Sequence, residues 1–231
     1  MSPADRDPGE ARDRHDRELG ERFSRALLAA RADARGPDPL PYADALLTRW
    51  AEPQRRYHST AHLTAVLDHI DLLAAHAADA DLVRLAAWFH DAIYLPDRSE
   101  NEERSARLAE RALREAGLSD SATAEVARLV RLTVTHAPEP SDDNGAVLCD
   151  ADLAILAAPP TEYAAYAAAV REEYGFVPDD AFRTGRAAVL RQLLALPALF
   201  HTPHGAREWE ARAHANLTAE IDRLDPAAPP P

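Results

Sequence analysis

Four positions in this chain carry side chains able to hold a divalent cation: His62, His90, Asp91 and Asp152. Two imidazoles and two carboxylates suit an ion of borderline to hard character, such as Mn²⁺, Mg²⁺, Fe²⁺, Ni²⁺ or Co²⁺. Four protein donors on an octahedral ion leave positions for water and a phosphoryl oxygen. Such an ion lowers the pKa of its water and polarises the phosphoryl group.

Each position falls on an apolar helical pattern. Leu82, Leu85, Ala86 and Phe89 recur at helical spacing, and His90 follows Ala86 by four residues, on the same inward face. An ionisable pair at the end of a core helix costs desolvation energy unless something compensates, and a metal is one compensation. A hydrogen-bonded core histidine beside an exposed aspartate is the other reading of that dipeptide. His62, Val66, Ile70 and Leu73 share a face of a helix opened by Ser59 or Thr60. His58 sits one turn earlier, at the helix entry, while His69 and His76 read as surface or flanking residues. Asp150 and Asp152 stand in a run so apolar that they require a cation or an arginine. They point about 200° apart on a helix, so they do not share one job.

The elements that must position these residues read as helices. Residues 1–15 are polar, carry two prolines and are expected to be disordered. Residues 17–34 place Leu19, Phe23, Leu27 and Leu28 on one face. Gly36-Pro37-Asp38-Pro39 breaks that helix, and 42–51 forms the next. The His90 helix is expected to run to Leu95-Pro96. The helix after it ends at Ala116-Gly117, with Ser99 or Asn101 as cap; Glu102 and Glu103 suit the dipole of its first turn. Ser119-Asp120 starts a helix that finishes near His136, where the helix dipole alone would explain a histidine. Further helices are expected over 161–175, 178–196 and 206–224, before a Pro-rich tail, 225–231, that frays. With no repeat and no linker, residues 16–224 read as one all-α domain.

Composition narrows the function. The 231 residues include 46% hydrophobic residues, mostly Ala and Leu, with eight glycines and few β-branched residues, which favours an all-α fold. There is no lysine, so Schiff-base and P-loop lysine chemistry are excluded. A net charge of −13 opposes binding to nucleic-acid polymers. It leaves room for a small phosphorylated substrate, since a metal and a few arginines make a locally positive pocket. The single cysteine, Cys149, excludes an internal disulfide and suits a reducing cytosol. The first twenty residues lack an apolar signal segment, and no apolar stretch reaches membrane-spanning length free of charge. A cytoplasmic protein with no membrane partner is expected.

The order His62, His90-Asp91, Asp152 resembles the HD superfamily of metal-dependent phosphohydrolases, whose pattern is H…HD…D on an all-α bundle. The likeness extends to Tyr57-His58-x-x-x-His62-Leu63, Trp88-Phe89-His90-Asp91-x-x-Tyr94, Asn101-Glu102-x-x-Ser105-Ala106 and Thr135-His136. It continues through Asp150-Ala151-Asp152-Leu153-x-Ile155-Leu156, Arg171-x-Glu173-Tyr174 and Gly185-Arg186. Together these look like an uncharacterised bacterial branch of predicted HD phosphohydrolases, over residues 40–205. The resemblance implies His62, His90, Asp91 and Asp152 as ligands, with His58 as the alternative first ligand. Val66, four residues on, matches the superfamily spacing for His62. The small Ala151 before it favours Asp152 over Asp150, which then holds an arginine or a ligand histidine. Asp91 also orients the attacking water on this reading, and Glu102 is a candidate base. His58 and His136 contact phosphate or help bind a second metal. Arg171 and Arg186 are candidate phosphate clamps, or structural partners of Glu173 and the buried acids. The implied activity is hydrolysis of a nucleotide or phosphomonoester; a non-catalytic nucleotide sensor is the alternative. Helix-rich surfaces and family precedent allow a homodimer.

Overall fold

Every residue from Leu85 to His90 is buried, so the fourth helix can only be a central one. The computed structural model describes residues 8–31 and 36–225. Among these it contains eleven α-helices and no strand. In order they are α1 (Pro8–Ala30), α2 (Leu40–Trp50), α3 (Thr60–Leu73), α4 (Ala80–His90), α5 (Asn101–Glu115) and α6 (Asp120–Leu132). There follow α7 (Asp143–Leu153), α8 (Pro160–Glu173), α9 (Asp179–Leu194), α10 (Pro203–Glu208) and α11 (Glu210–Leu224). The α4 helix packs against α1, α3, α5, α6 and α7. Asp79 caps its start by accepting from the Asp81 and Leu82 amides. The Trp50 indole donates to the Trp88 carbonyl at 3.0 Å, tying α2 to α4 beside the His90 ring. No helix is long and apolar enough to cross a membrane among the described residues.

A short 3₁₀ turn, Ala154–Ala157, leads from α7 into the C-terminal helices. Both α8 and α11 pack on that turn, and α9 packs on α11. These helices thus form a second layer that joins the first through the residues after Asp152.

Several element ends differ from the sequence expectation. The first helix starts at Pro8, not after residue 15, so residues 8–15 are helical; residues 1–7 and the tail beyond 225 lie outside the described residues. Proline is tolerated in a first helical turn, and the polar turns after it are held by contacts that hydropathy misses. Arg12 pairs with Asp16, and the Thr64 hydroxyl meets His15 Nε2 at 3.2 Å. The α4 helix stops at His90, five residues early. There the Asn101 side chain bonds the Leu95 backbone at both N–H and C=O, while Ser105 accepts from the Ile93 amide. Asn101 therefore shapes the preceding loop and does not cap α5, and neither does Ser99; the cap position is Glu100, with no side-chain bond. The expected last helix is broken at Trp209, because Thr202 caps a separate short α10.

Candidate metal centre

Three helices deliver the donors. His62 lies in the first turn of α3, His90 is the last residue of α4 with Asp91 as its C-cap, and Asp152 lies near the end of α7. The His90 Nδ1–H donates to the Ala87 carbonyl at 2.7 Å, which leaves Nε2 facing the cluster. His90 Nε2 stands 3.3 Å from His62 Nε2, 3.5 Å from Asp152 Oδ1 and 3.3 Å from Asp91 Oδ2. His62 Nε2 stands 3.1 Å from Asp152 Oδ1. The donors of His62, His90 and Asp152 all lie within 4.8 Å of one another and could hold a metal ion.

These separations fit a coordination sphere. With bonds of about 2.1 Å, neighbouring donors are about 3.0 Å apart in an octahedron and about 3.4 Å in a tetrahedron. The chemistry fits as well. Two imidazole nitrogens facing each other at van der Waals distance share one proton or one cation. Burial lowers the His62 pKa, against the pull of Asp152, so its ring is neutral and able to ligate. Burial would also lower His90, but Asp91 and Asp152 together outweigh it and raise its pKa well above the usual value. Both acids stay ionised for the converse reason. Burial opposes ionisation at Asp91, which His90 overcomes, and at Asp152, where His90, His136 and His62 overcome it.

The surroundings of the donors divide the remaining candidates. His136 Nε2–H donates at 2.9 Å to Asp152 Oδ2, the oxygen turned away from His62. It reaches there from a turn after α6 with φ 48, a strained conformation for a non-glycine residue. His136 thus supports Asp152, and its place is set by this bond and not by a helix end. His58 is gripped by Glu173: Nδ1 lies 2.6 Å from Oε2, and Nε2 lies 3.9 Å from Asp91 Oδ2. Its ring stacks on Tyr94 at 4.2 Å between centroids.

The sequence suggests Glu173 only as a salt-bridge partner for Arg171 or Arg186. It is fully buried, and its carboxylate accepts from the amides of Arg56, Tyr57 and His58, from His58 Nδ1 and from the Tyr94 hydroxyl. Burial works against its charge, but His58 and the amides prevail and set its pKa to about 2. The available signal was spacing: Glu173 shares the buried face of α8 with Tyr163 and Val170. His69, expected at the surface or a flank, meets the C-terminal helices. It is half-buried, on the face of α3 it shares with His62, with its ring against Trp209 at 5.3 Å.

No protein-family model, curated protein or solved structure matches this chain. What the residues do must be read from the site itself.

Three expectations are corrected by geometry. Asp150 holds neither an arginine nor a ligand histidine. It accepts from the amides of His201 and Thr202 and from the Thr202 hydroxyl, latching the entry of α10 to α7. Arg171 is not brought to the cluster; it bonds the Tyr174 and Val177 carbonyls and Asp179, and lies over the Phe182 ring. Glu102 is half-buried on α5, with no hydrogen bond or ion pair to any metal donor among the described residues. Arg186 does reach the site. Its Nε and Nη2 bond Glu220 and Tyr166, and it lines a cavity of about 490 Å³ with His58, His136 and Asp152. A second cavity, of about 500 Å³, opens on the other side over His62 and Asp152.

Proposed function

We propose that this chain is a metal-dependent phosphohydrolase of the HD type that cleaves a small phosphorylated substrate, a nucleotide or another phosphomonoester. One observation carries the reading: donors of His62, His90 and Asp152, from three helices, converge 3.1–3.5 Å apart, with Asp91 3.3 Å from His90, beside a cavity lined by His58, His136 and Arg186. That combination supports an anion next to a divalent cation, which is the requirement of phosphoryl transfer to water. The H…HD…D order of the ligands along the chain supports the same reading.

When bound, a divalent ion supplies Lewis acidity: it polarises a phosphoryl oxygen and acidifies a water in its coordination sphere. The chain does the rest. Nε2 of His62 and, once its proton has left, Nε2 of His90 would hold the ion together with Asp91 and Asp152. Among the described residues Glu220 and Tyr166 hold only Nε and Nη2 of Arg186, which leaves Nη1 for a phosphoryl oxygen. His136 is steadied by Asp152 and faces the same cavity. Asp91 orients the attacking water. His58, with Nδ1–H donated to Glu173, has Nε2 left as an acceptor at the same cavity, able to take up the proton that the attacking water releases.

Elemental analysis of purified protein, followed by phosphate release from nucleotides and simple phosphomonoesters with Mn²⁺, Mg²⁺, Ni²⁺ and Co²⁺, tests this. Near-stoichiometric metal with turnover is the expected result. Metal without turnover would make the chain a metal-dependent sensor, and no metal under any loading would remove the whole reading.

A further inference from the structure

Two cavities of nearly equal volume border Asp152 of the donor cluster. Tyr57, Asp152, Ile155 and Tyr166 line both, so the two meet at the metal centre. The first brings Arg186, His58 and His136 together with Thr133, Thr135 and Gln192 on a lining otherwise made of the four shared residues, valines and leucines. The Arg186 guanidinium and the hydroxyls offer the charge and hydrogen-bond donors that an anion needs.

The second is walled by alanines. Its walls are Ala61 and Ala65 of α3 and Ala165 and Ala169 of α8, each pair four residues apart and so on one helix face. Ala154 and Ala158 close it near the 3₁₀ turn, and the buried Trp209 lies at its lining. Trp209 is held edge-on by Phe200, His69 and His204, so its ring has a fixed orientation. Among its charged side chains other than His62, His69 and Asp152, all three are exposed: Arg56, Glu162 and Arg212. Arg56 is already paired with Glu172. An apolar group placed against these alanines would gain from burial. The volume of this cavity, about 500 Å³, is within the range of small-molecule sites.

We propose that the substrate is a phosphomonoester of an apolar or aromatic alcohol, its phosphoryl group beside His58, His136 and Arg186 and its organic group in the alanine-lined cavity. This rests on the phosphohydrolase reading of the metal centre. Hydrolysis breaks the ester P–O bond and forms a P–O bond to the water oxygen. One water proton ends on the alcohol, and the products are the free alcohol and inorganic phosphate.

The test uses the full chain loaded with Mn²⁺ and two phosphonates that cannot be hydrolysed, 1-naphthylmethylphosphonate and methylphosphonate. Calorimetry is expected to show the naphthyl compound binding at least about ten-fold tighter. Ala65→Leu and Ala165→Leu, made separately on exposed positions of opposite walls, are each expected to reduce that ratio to about three-fold or less. Equal binding of the two phosphonates by the native chain would overturn the inference, as would a ratio that survives both substitutions. Turnover of 1-naphthyl phosphate and glycerol phosphate separates this inference from its basis. Cleavage of both with no preference sinks the substrate class and leaves the hydrolase. A cavity-dependent phosphonate ratio with cleavage of neither leaves the binding site and sinks the hydrolase.

Discussion

A single positive charge serves two carboxylates and two imidazoles at the centre of this molecule. His90 carries it, because Asp91 and Asp152 raise its pKa well above the ordinary value while burial keeps His62 neutral. The proton on His90 Nε2 therefore occupies the place a divalent ion would take, and metal binding must expel it. The folded-state value is raised, so expulsion is required throughout the neutral range. Apparent affinity is expected to climb about ten-fold per pH unit there and to level off only above the His90 titration. Calorimetry at pH 7 in buffers of different ionisation enthalpy should count about one proton released per ion; a count of zero would mean that the imidazoles are already free. The two aspartates of α7 are expected to separate cleanly. Asp152→Ala loses the metal. Asp150→Ala keeps it but destabilises the fold by about 2–4 kcal/mol, since two amides and a hydroxyl lose their buried acceptor. Metal analysis and urea unfolding of both variants check this, and metal retained in Asp152→Ala would exchange the assignments. Sequence spacing already showed that these acids face apart. It could not show what Asp150 holds, because backbone amides some fifty residues away leave no mark in side-chain identity.

The elements were legible wherever one face of a helix is apolar, as along α2, α3 and α4, and less so where a polar contact decides. Asn101 looks like a cap and is a loop clamp; Glu173 looks like an exposed acid on an alanine helix and is the most heavily bonded carboxylate near the site. It joins α8 to the segment before α3 and to Tyr94, so it couples the two layers and orients His58 at once. Its folded pKa of about 2 lies below the ordinary carboxylate value. The stabilisation it brings is thus fully present above the unfolded pKa and is lost as pH falls from there toward 2; the lowering corresponds to roughly 3 kcal/mol. Glu173→Gln can still accept the three amides but faces His58 Nδ1 with a donor or a neutral acceptor. Nitrogen shifts of the His58 ring should then report a changed tautomer with metal content unaltered, and the acid-unfolding curve should flatten below pH 4.5. An unchanged His58 tautomer would reduce Glu173 to a structural tie. The α7–α10 junction carries a sharper steric demand. A Cβ on Gly205 would strike the Asp150 carboxylate and Phe200 Cβ. Gly205→Ala is accordingly expected to cost about 1–3 kcal/mol in urea unfolding; a neutral result would mean that the latch can shift.

At the scale of the whole molecule an ion held by these donors would act as a staple. Its donors come from α3, α4 and α7, and each of these helices packs on the other two. An ion that binds only when the three are assembled must stabilise the assembly, by about 2.7 kcal/mol at one hundred times its Kd. For a chain of this length that corresponds to a rise in Tm of about 5–10 °C. The same chain carries a net charge of −13, so divalent ions also gather weakly on its surface and relieve self-repulsion. Screening tells the two apart. Surface attraction fades at 0.5 M NaCl, where the Debye length is only a few ångströms, whereas buried donors are screened far less. The Tm rise with Mn²⁺ is therefore expected to survive in high salt for the native chain and to vanish there for Asp152→Asn, which removes one donor charge while preserving shape. A salt-sensitive rise that Asp152→Asn retains would locate the effect on the acidic surface and leave the three helices held together by their core alone.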